Sequence, residues 1–324
     1  MKVCIYGAGA IGGHVAARLA SAGTETSVIV RGAALDAIRA RGITARTLDG
    51  EIHGKVAAAS DARELGPQDA VIVSVKAPAL ASVAAGIAPL LGPKTAVAFA
   101  MNGIPWWYFH AHGGAMDGRR LPPVDPGDAI WTTVGPQRAL GMVVNTACSV
   151  VEPGVIRVTS PVNRFAIGEP DGSLSPRLQA LAEAMRAGGF KMDVTPDIRR
   201  EILQKLVGNM CGLAMSALTL GKGKEFYNDP ECERAIRAMM REGLALAAAL
   251  GRPVIFDIDQ HVAWGKRMEH KASMAQDLEL GRPVEIDAIF TVPLMLAREL
   301  AVPTPTLDLF AALVRLRAKN AGLY

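Results

Sequence analysis

Aromatic residues are scarce in this 324-residue chain, at 5% of the total, and there are only four cysteines. Cys4, Cys148, Cys211 and Cys232 lie far apart and form no Cys-x-x-Cys pair. That excludes a zinc ribbon or a disulfide framework and points to free thiols in a reducing compartment. His110 and His112 lie close together but lack a third ligand of suitable type, so no metal is expected. A basic tract is also missing: 35 Lys and Arg against 31 Asp and Glu are spread along the chain, which argues against nucleic acid as a partner. No apolar run reaches the ~20 residues that a spanning helix needs. The longest weakly polar stretch, residues 77–91, is interrupted by Pro78 and Pro89. Met1-Lys2 leads at once into an apolar run, leaving no room for an export signal. The expectation is a soluble, cytoplasmic protein of ordinary globular composition, long enough for two domains.

The first half alternates short apolar runs with helical patterns. Residues 3–6, 26–30, 70–75 and 95–99 read as strands, with helices between them at about 10–22 and 33–40. This predicts a parallel sheet with helices on both faces. Residues 43–48 and 51–56 read as a hairpin around Asp49-Gly50. The alternation breaks at Asn102-Gly103-Ile104-Pro105, where Trp106-Trp107-Tyr108-Phe109 and a Gly- and Pro-rich stretch to Gly127 read as a long loop, either a lid or a surface clip. Strand character returns after residue 140. Beyond Thr195-Pro196-Asp197 the pattern is almost wholly helical. Helices are expected from Asp197 to about 218, from the Asp229-Pro230 cap to Gly251, over 259–280 and over 283–300. The domain boundary falls at 195/196.

Gly7-Ala8-Gly9-Ala10-Ile11-Gly12 is a G-x-G-x-x-G that follows a buried strand and opens a helix, the context in which the motif binds a dinucleotide. Gly7 serves the tight turn, Gly9 the approach of the pyrophosphate and Gly12 the packing of helix on strand. The first-turn residues Ala10 and Ile11 present free N–H groups to the phosphates. The next strand ends Val30-Arg31-Gly32, without the carboxylate that an NAD site places there. Glu25 precedes that strand at its wrong end. Arg31 can receive a 2′-phosphate, so the expected cofactor is NADP as NADPH; the alternative for Arg31 is a solvated surface residue.

Lys76 and Asn102 end neighbouring strands at their carboxyl ends, where open α/β sheets bind ligands; either could also be a cap or turn residue. In the helical half, Lys205 and Asn209 are four apart and share a helix face; most neighbours on this helix are apolar, so Lys205 either serves a site or snorkels to the surface. Further on stand Ser273-Met274-Ala275-Gln276-Asp277 and Glu285-Ile286-Asp287. Together with Val75-Lys76-Ala77, Asn102-Gly103 and Val302-Pro303-Thr304-Pro305, these motifs occur in the order of the ketopantoate reductase (2-dehydropantoate 2-reductase) family, and the chain resembles that family over nearly its whole length.

The resemblance implies a Rossmann-type domain over residues 1–195 and an all-helical domain over 196–324, like that of 6-phosphogluconate dehydrogenase, with the site in the cleft. It implies reduction of 2-dehydropantoate to pantoate in pantothenate biosynthesis. Lys205 matches the general acid and Glu285 lies near the reacting oxygen. Asn209 and Ser273 match substrate contacts, and Lys76 and Asn102 match positions that contact cofactor and substrate. A free lysine, with pKa ~10.4, is a reluctant donor; desolvation would lower it and a nearby Glu285 would oppose that. Leu213 and Phe290 stand where the family commonly carries asparagine. Three readings follow: the family's default substrate, a less polar 2-oxo acid, or an NADP-binding sensor without chemistry. The apolar helices admit a homodimer surface as well as a core.

Overall fold

The computed structural model describes all residues, Met1–Tyr324, which divide into two compact units. The first comprises Met1–Met101 and Trp106–Ile198; the second comprises Asn102–Pro105 and Arg199–Tyr324. The inclusion of Asn102–Pro105 with the later residues is not visible in the sequence pattern. No helix is long and apolar enough to cross a membrane.

The first unit is built on an eight-stranded sheet. Its strands are β1 (Lys2–Tyr6), β2 (Glu25–Ile29), β5 (Ala57–Ala59), β6 (Gln68–Val73), β7 (Leu91–Ala100), β8 (Ala139–Asn145), β11 (Arg164–Gly168) and β12 (Lys191–Val194), ordered β12-β11-β8-β7-β6-β1-β2-β5. All neighbours are parallel except β8 and β11. The central strands are buried on both faces, which is why residues 70–73 read as an unbroken apolar run rather than an alternating one. The strand order reverses between β1 and β6, whose carboxyl ends lie side by side through the pairing of Tyr6 with Val73. Glu25 opens β2 rather than preceding it, and stays at the amino end, paired with Lys2 at 3.4 Å.

Helix α1 (Ala10–Ser21) is covered twice. One side lies on the large sheet. The other meets a four-stranded sheet of β3 (Ile43–Thr47), β4 (Gly50–Gly54), β9 (Cys148–Glu152) and β10 (Val155–Val158), where Gly13 fits against Ile43 and Ile156. This explains why Val15, Ala16, Ala17 and Leu19 are all closed to solvent. The predicted β3–β4 hairpin forms, but its two-residue loop is Leu48-Asp49, because Gly50 pairs with Thr47 inside the ladder. The Thr47 hydroxyl sets that turn, donating to the Gly50 carbonyl at 2.9 Å and accepting from Asp49 N–H at 3.2 Å.

The stretch from Trp106 is neither lid nor clip. Trp106, Trp107, Tyr108 and Phe109 are 1%, 0%, 0% and 0% exposed. Trp106 meets Phe99 and Trp131 edge to face, and Trp107 lies over β8 where only Gly141 leaves room. These four consecutive aromatic residues are core.

The second unit is helical: α6 (Ile198–Thr219, begun in the first unit), α7 (Gly223–Tyr227), α8 (Pro230–Ala249), α9 (Ile258–Gly265), α10 (Ser273–Glu279), α11 (Val292–Glu299) and α12 (Pro305–Asn320). The Asp229-Pro230 cap forms as expected, the Asp229 carboxylate accepting from Glu231 and Cys232 N–H. The single helix expected over 259–280 is instead α9 and α10. Between them the backbone bonds to tertiary partners: Lys224 N–H reaches the Met268 carbonyl at 2.9 Å and Ala272 N–H reaches Ser216 Oγ at 3.2 Å. The helix expected over 283–300 begins with a π turn, Asp287–Thr291, ahead of α11. Pro293 has no N–H for the Ile289 carbonyl, and the turn widens before it.

If the aromatic run is core, Trp107→Ala should lose about 3–5 kcal/mol of stability. Urea unfolding of the purified variant measures this, and a loss below about 1 kcal/mol would return the run to the surface.

Candidate active site

The glycine loop is fixed by close packing on one side and left open on the other. Gly7 follows β1 at φ +102°, a left-handed conformation, and a Cβ there would sit 2.5 Å from Val75 Cγ1. Its N–H donates to the Ile29 carbonyl at 3.0 Å, and its carbonyl accepts from the Ser74 hydroxyl at 2.8 Å. A Cβ on Gly12 would meet the Gly7 carbonyl oxygen at 2.1 Å and Ser74 Oγ at 2.3 Å. At Gly9, by contrast, a Cβ would meet nothing within 4 Å. Gly9 is exposed and caps α1 without a side-chain hydrogen bond, so the first-turn N–H groups, including those of Ala10 and Ile11, are left to an anion. These residues therefore fit a dinucleotide pyrophosphate. Ser74 was not singled out by the sequence, and neither was Cys148, whose thiol donates to the Ala10 carbonyl at 3.3 Å and whose pKa is pushed up to about 12 by burial. No motif spacing marks either one.

Arg31 follows β2 by two residues and is exposed. Its charge is felt at Tyr6, whose phenol is pushed up by burial with Arg31 opposing. Lys76 ends the segment after β6, half-buried at the N-cap of a 3-10 turn, Ala77–Ala79. Arg31, the glycine loop and Lys76 thus stand at the carboxyl ends of β2, β1 and β6, the three strands at the reversal of strand order.

In the helical unit, Lys205 and Asn209 lie a turn apart on α6. Glu285 is buried, 9% exposed, and the Asn102 side-chain amide donates to its Oε2 at 3.4 Å. The Lys205 pKa is lowered to about 8, with desolvation the larger cause and the Glu285 charge opposing it. Of the two competing effects expected from the sequence, desolvation is the stronger. Asn102, Lys205 and Glu285 are thereby brought together. Ser273 opens α10 and is exposed. Leu213 and Phe290 are closed to solvent at 5% and 1%. The Asn102 segment is held by Ile104 N–H on the Ala288 carbonyl at 2.8 Å. Gly103, at φ +80°, permits that approach: a Cβ would lie 2.2 Å from the same oxygen.

A doubly covered α1 with an open glycine loop, followed by a helical unit with a desolvated lysine beside a carboxylate, defines a dinucleotide-binding oxidoreductase architecture. The comparisons narrow it. Residues 3–172 match the family model described as Ketopantoate reductase PanE/ApbA, and residues 197–318 match its C-terminal model. The chain belongs to the ketopantoate reductase family. A 2-dehydropantoate 2-reductase of Mesorhizobium japonicum is 45% identical, with 100% of both chains covered. A solved structure from Ralstonia solanacearum is 41% identical with a TM-score of 0.93, covering 100% of this chain and 99% of the other. The 2-dehydropantoate 2-reductase of Geobacter metallireducens is 26% identical with a TM-score of 0.86, covering 98% and 99%.

The two glycines should separate by experiment. Gly9→Ala should leave Tm within a few degrees of the parent while weakening NADPH binding at least ~10-fold, because its Cβ obstructs only the ligand. Gly12→Ala should lower Tm by about 5 °C or more through overpacking. Differential scanning fluorimetry with and without NADPH reads both, and equal Tm losses would contradict the assignment.

Proposed function

We propose that this chain is an NADPH-dependent reductase of a 2-oxo acid, 2-dehydropantoate by default, giving pantoate in the cytoplasm. The observation that carries the mechanism is the placing of Lys205, half-buried on α6, within the field of the buried Glu285, where desolvation lowers its pKa to about 8. The glycine loop, with Gly9 open and the first-turn N–H groups of α1 uncapped, would hold NADPH, which when bound would supply a hydride for a ketone carbon. Negative charge then builds on the ketone oxygen, and the Lys205 ammonium stabilises it and donates its proton. Burial makes that proton easier to give than from a free lysine. Glu285 keeps enough charge nearby for Lys205 to remain mostly protonated at neutral pH. Asn102 holds the Glu285 carboxylate, and Asn209 and Ser273 orient the substrate by hydrogen bonding. Arg31 would receive the 2′-phosphate of the cofactor, and Lys76 would contact it from the end of β6. The working division is a cofactor-binding domain over 1–195 and a helical domain over 196–324.

The proton needed for reduction is present below the Lys205 pKa and lost above it. The kcat for reduction should therefore be level up to about pH 7 and fall as pH rises through about 8. Lys205→Ala should lower kcat by about 10²–10⁴-fold while NADPH still binds. Arg31→Ala should raise the Kd for NADPH about tenfold and leave that for NADH little changed. Steady-state assays with ketopantoate and with a less polar 2-oxo acid, each with NADPH and NADH, test the whole reading. Preference for the less polar acid would favour the second substrate reading. Tight NADPH binding without turnover on any of them would mean a sensor.

A homodimer is also part of this proposal. Leu309, Leu313 and Leu316 are 58%, 42% and 56% exposed at helical spacing on α12, opposite the buried Leu307, Ala311 and Val314. Leu313→Glu should convert a dimer to a monomer in light scattering behind size exclusion; a parent already monomeric at 100 µM would remove the proposal.

A further inference from the structure

The backbone that carries Glu285 is gripped on both sides of it by the residues that follow α12. Val284 N–H donates to the Leu323 carbonyl at 3.3 Å. The Tyr324 hydroxyl donates to Asp287 Oδ1 at 2.6 Å. From another direction, the Asn102 amide reaches Glu285 Oε2, and its segment is tied down at the Ala288 carbonyl. The π turn Asp287–Thr291 starts within this brace. Such turns are rare and persist where surrounding contacts hold them, often at functional sites. Tyr324 itself is 44% exposed, so its bond to Asp287 adds little to the core. Burial and then Asp287 raise the Tyr324 pKa, with Arg315 and Thr291 opposing, so the hydroxyl remains a donor across the working pH range. The Lys319 ammonium lies 5.9 Å from the centre of its ring.

We propose that Tyr324 is a positioning residue for the reduction: with the Leu323 carbonyl it fixes the backbone around Glu285, and so the distance at which Glu285 acts on Lys205. The proposal rests on the reading of Lys205 as the acid and Glu285 as its partner. Without the brace, Glu285 is free to shift, and its influence on Lys205 weakens. Glu285 is the charged group that raises the Lys205 pKa against desolvation, so weakening it moves that pKa down.

The test compares kcat–pH profiles of the full-length parent with Tyr324→Phe, Asp287→Ala, Asp287→Asn and Glu285→Gln, using ketopantoate and NADPH. Tyr324→Phe should lower kcat about three- to tenfold and move the alkaline limb to lower pH, in the direction of Glu285→Gln but by less. Asp287→Ala should match it, and Asp287→Asn, which keeps an acceptor for the hydroxyl, should stay within about twofold of the parent. The double variant Tyr324→Phe/Asp287→Ala should be no worse than either single, since both break one bond. KM for NADPH should not change. An unmoved alkaline limb in Tyr324→Phe overturns the proposal, whether or not Tm drops, because a purely structural role lowers Tm without moving the limb. Lys205→Ala, run alongside, separates the two ideas. Full turnover without Lys205 would refute the acid assignment itself, whereas lost turnover with an unmoved Tyr324→Phe limb would refute only the brace.

Discussion

Taking a lysine ammonium out of water favours its neutral form, and a carboxylate nearby favours the charged one. At Lys205 the first effect wins by a limited margin, leaving a pKa of about 8. Had Glu285 been absent, desolvation alone would push the group further toward a neutral amine. With no desolvation it would hold its proton too firmly. In the helical unit α6 supplies Lys205, Glu285 sits just before a π turn, and the stretch around it is tied by hydrogen bonds to Asn102, Ile104, the Leu323 carbonyl and Tyr324.

The cofactor side works by sterics rather than charge. The Gly12 site leaves no space for a methyl group, so α1 lies against β1 and Ser74 at one depth only. The second sheet presses on the opposite side of α1 through Ile43 and Ile156. Held from both sides, the helix keeps its N-terminus in register with the turn at Gly7, and the uncapped N–H groups stay aimed outward at Gly9. Preorganised donors of this kind bind an anion without the cost of ordering them at the moment of binding.

Much of this was legible in the sequence because the constraints were local. The glycine loop, the parallel strands and the Asp229-Pro230 cap are each set by a few consecutive residues, and each forms as read. Lys205 and Asn209 share a face because helix geometry requires it. Where the reading failed, the deciding contact was remote. Trp106 to Phe109 read as part of a long loop because they lie between glycines and prolines with no periodicity; their burial depends on Gly141, Phe99 and Trp131. The helix expected over 259–280 breaks because its backbone finds partners at Lys224 and Ser216. Ser74, Cys148 and Tyr324 each hydrogen-bond an atom far away in the sequence, which no spacing rule records.

The positions that differ from the family pattern fit the same account. Leu213 and Phe290 replace polar residues, which taken alone suggests a less polar substrate. Yet both side chains are closed to solvent, at 5% and 1%, and Phe290 lies within the π turn, packed in the same stretch that must keep Glu285 in place. A large apolar side chain there loses little on burial, whereas an unpaired amide would cost about 1–3 kcal/mol. Burial of position 290 therefore favours phenylalanine over an unpaired asparagine there, whatever the polarity of the substrate.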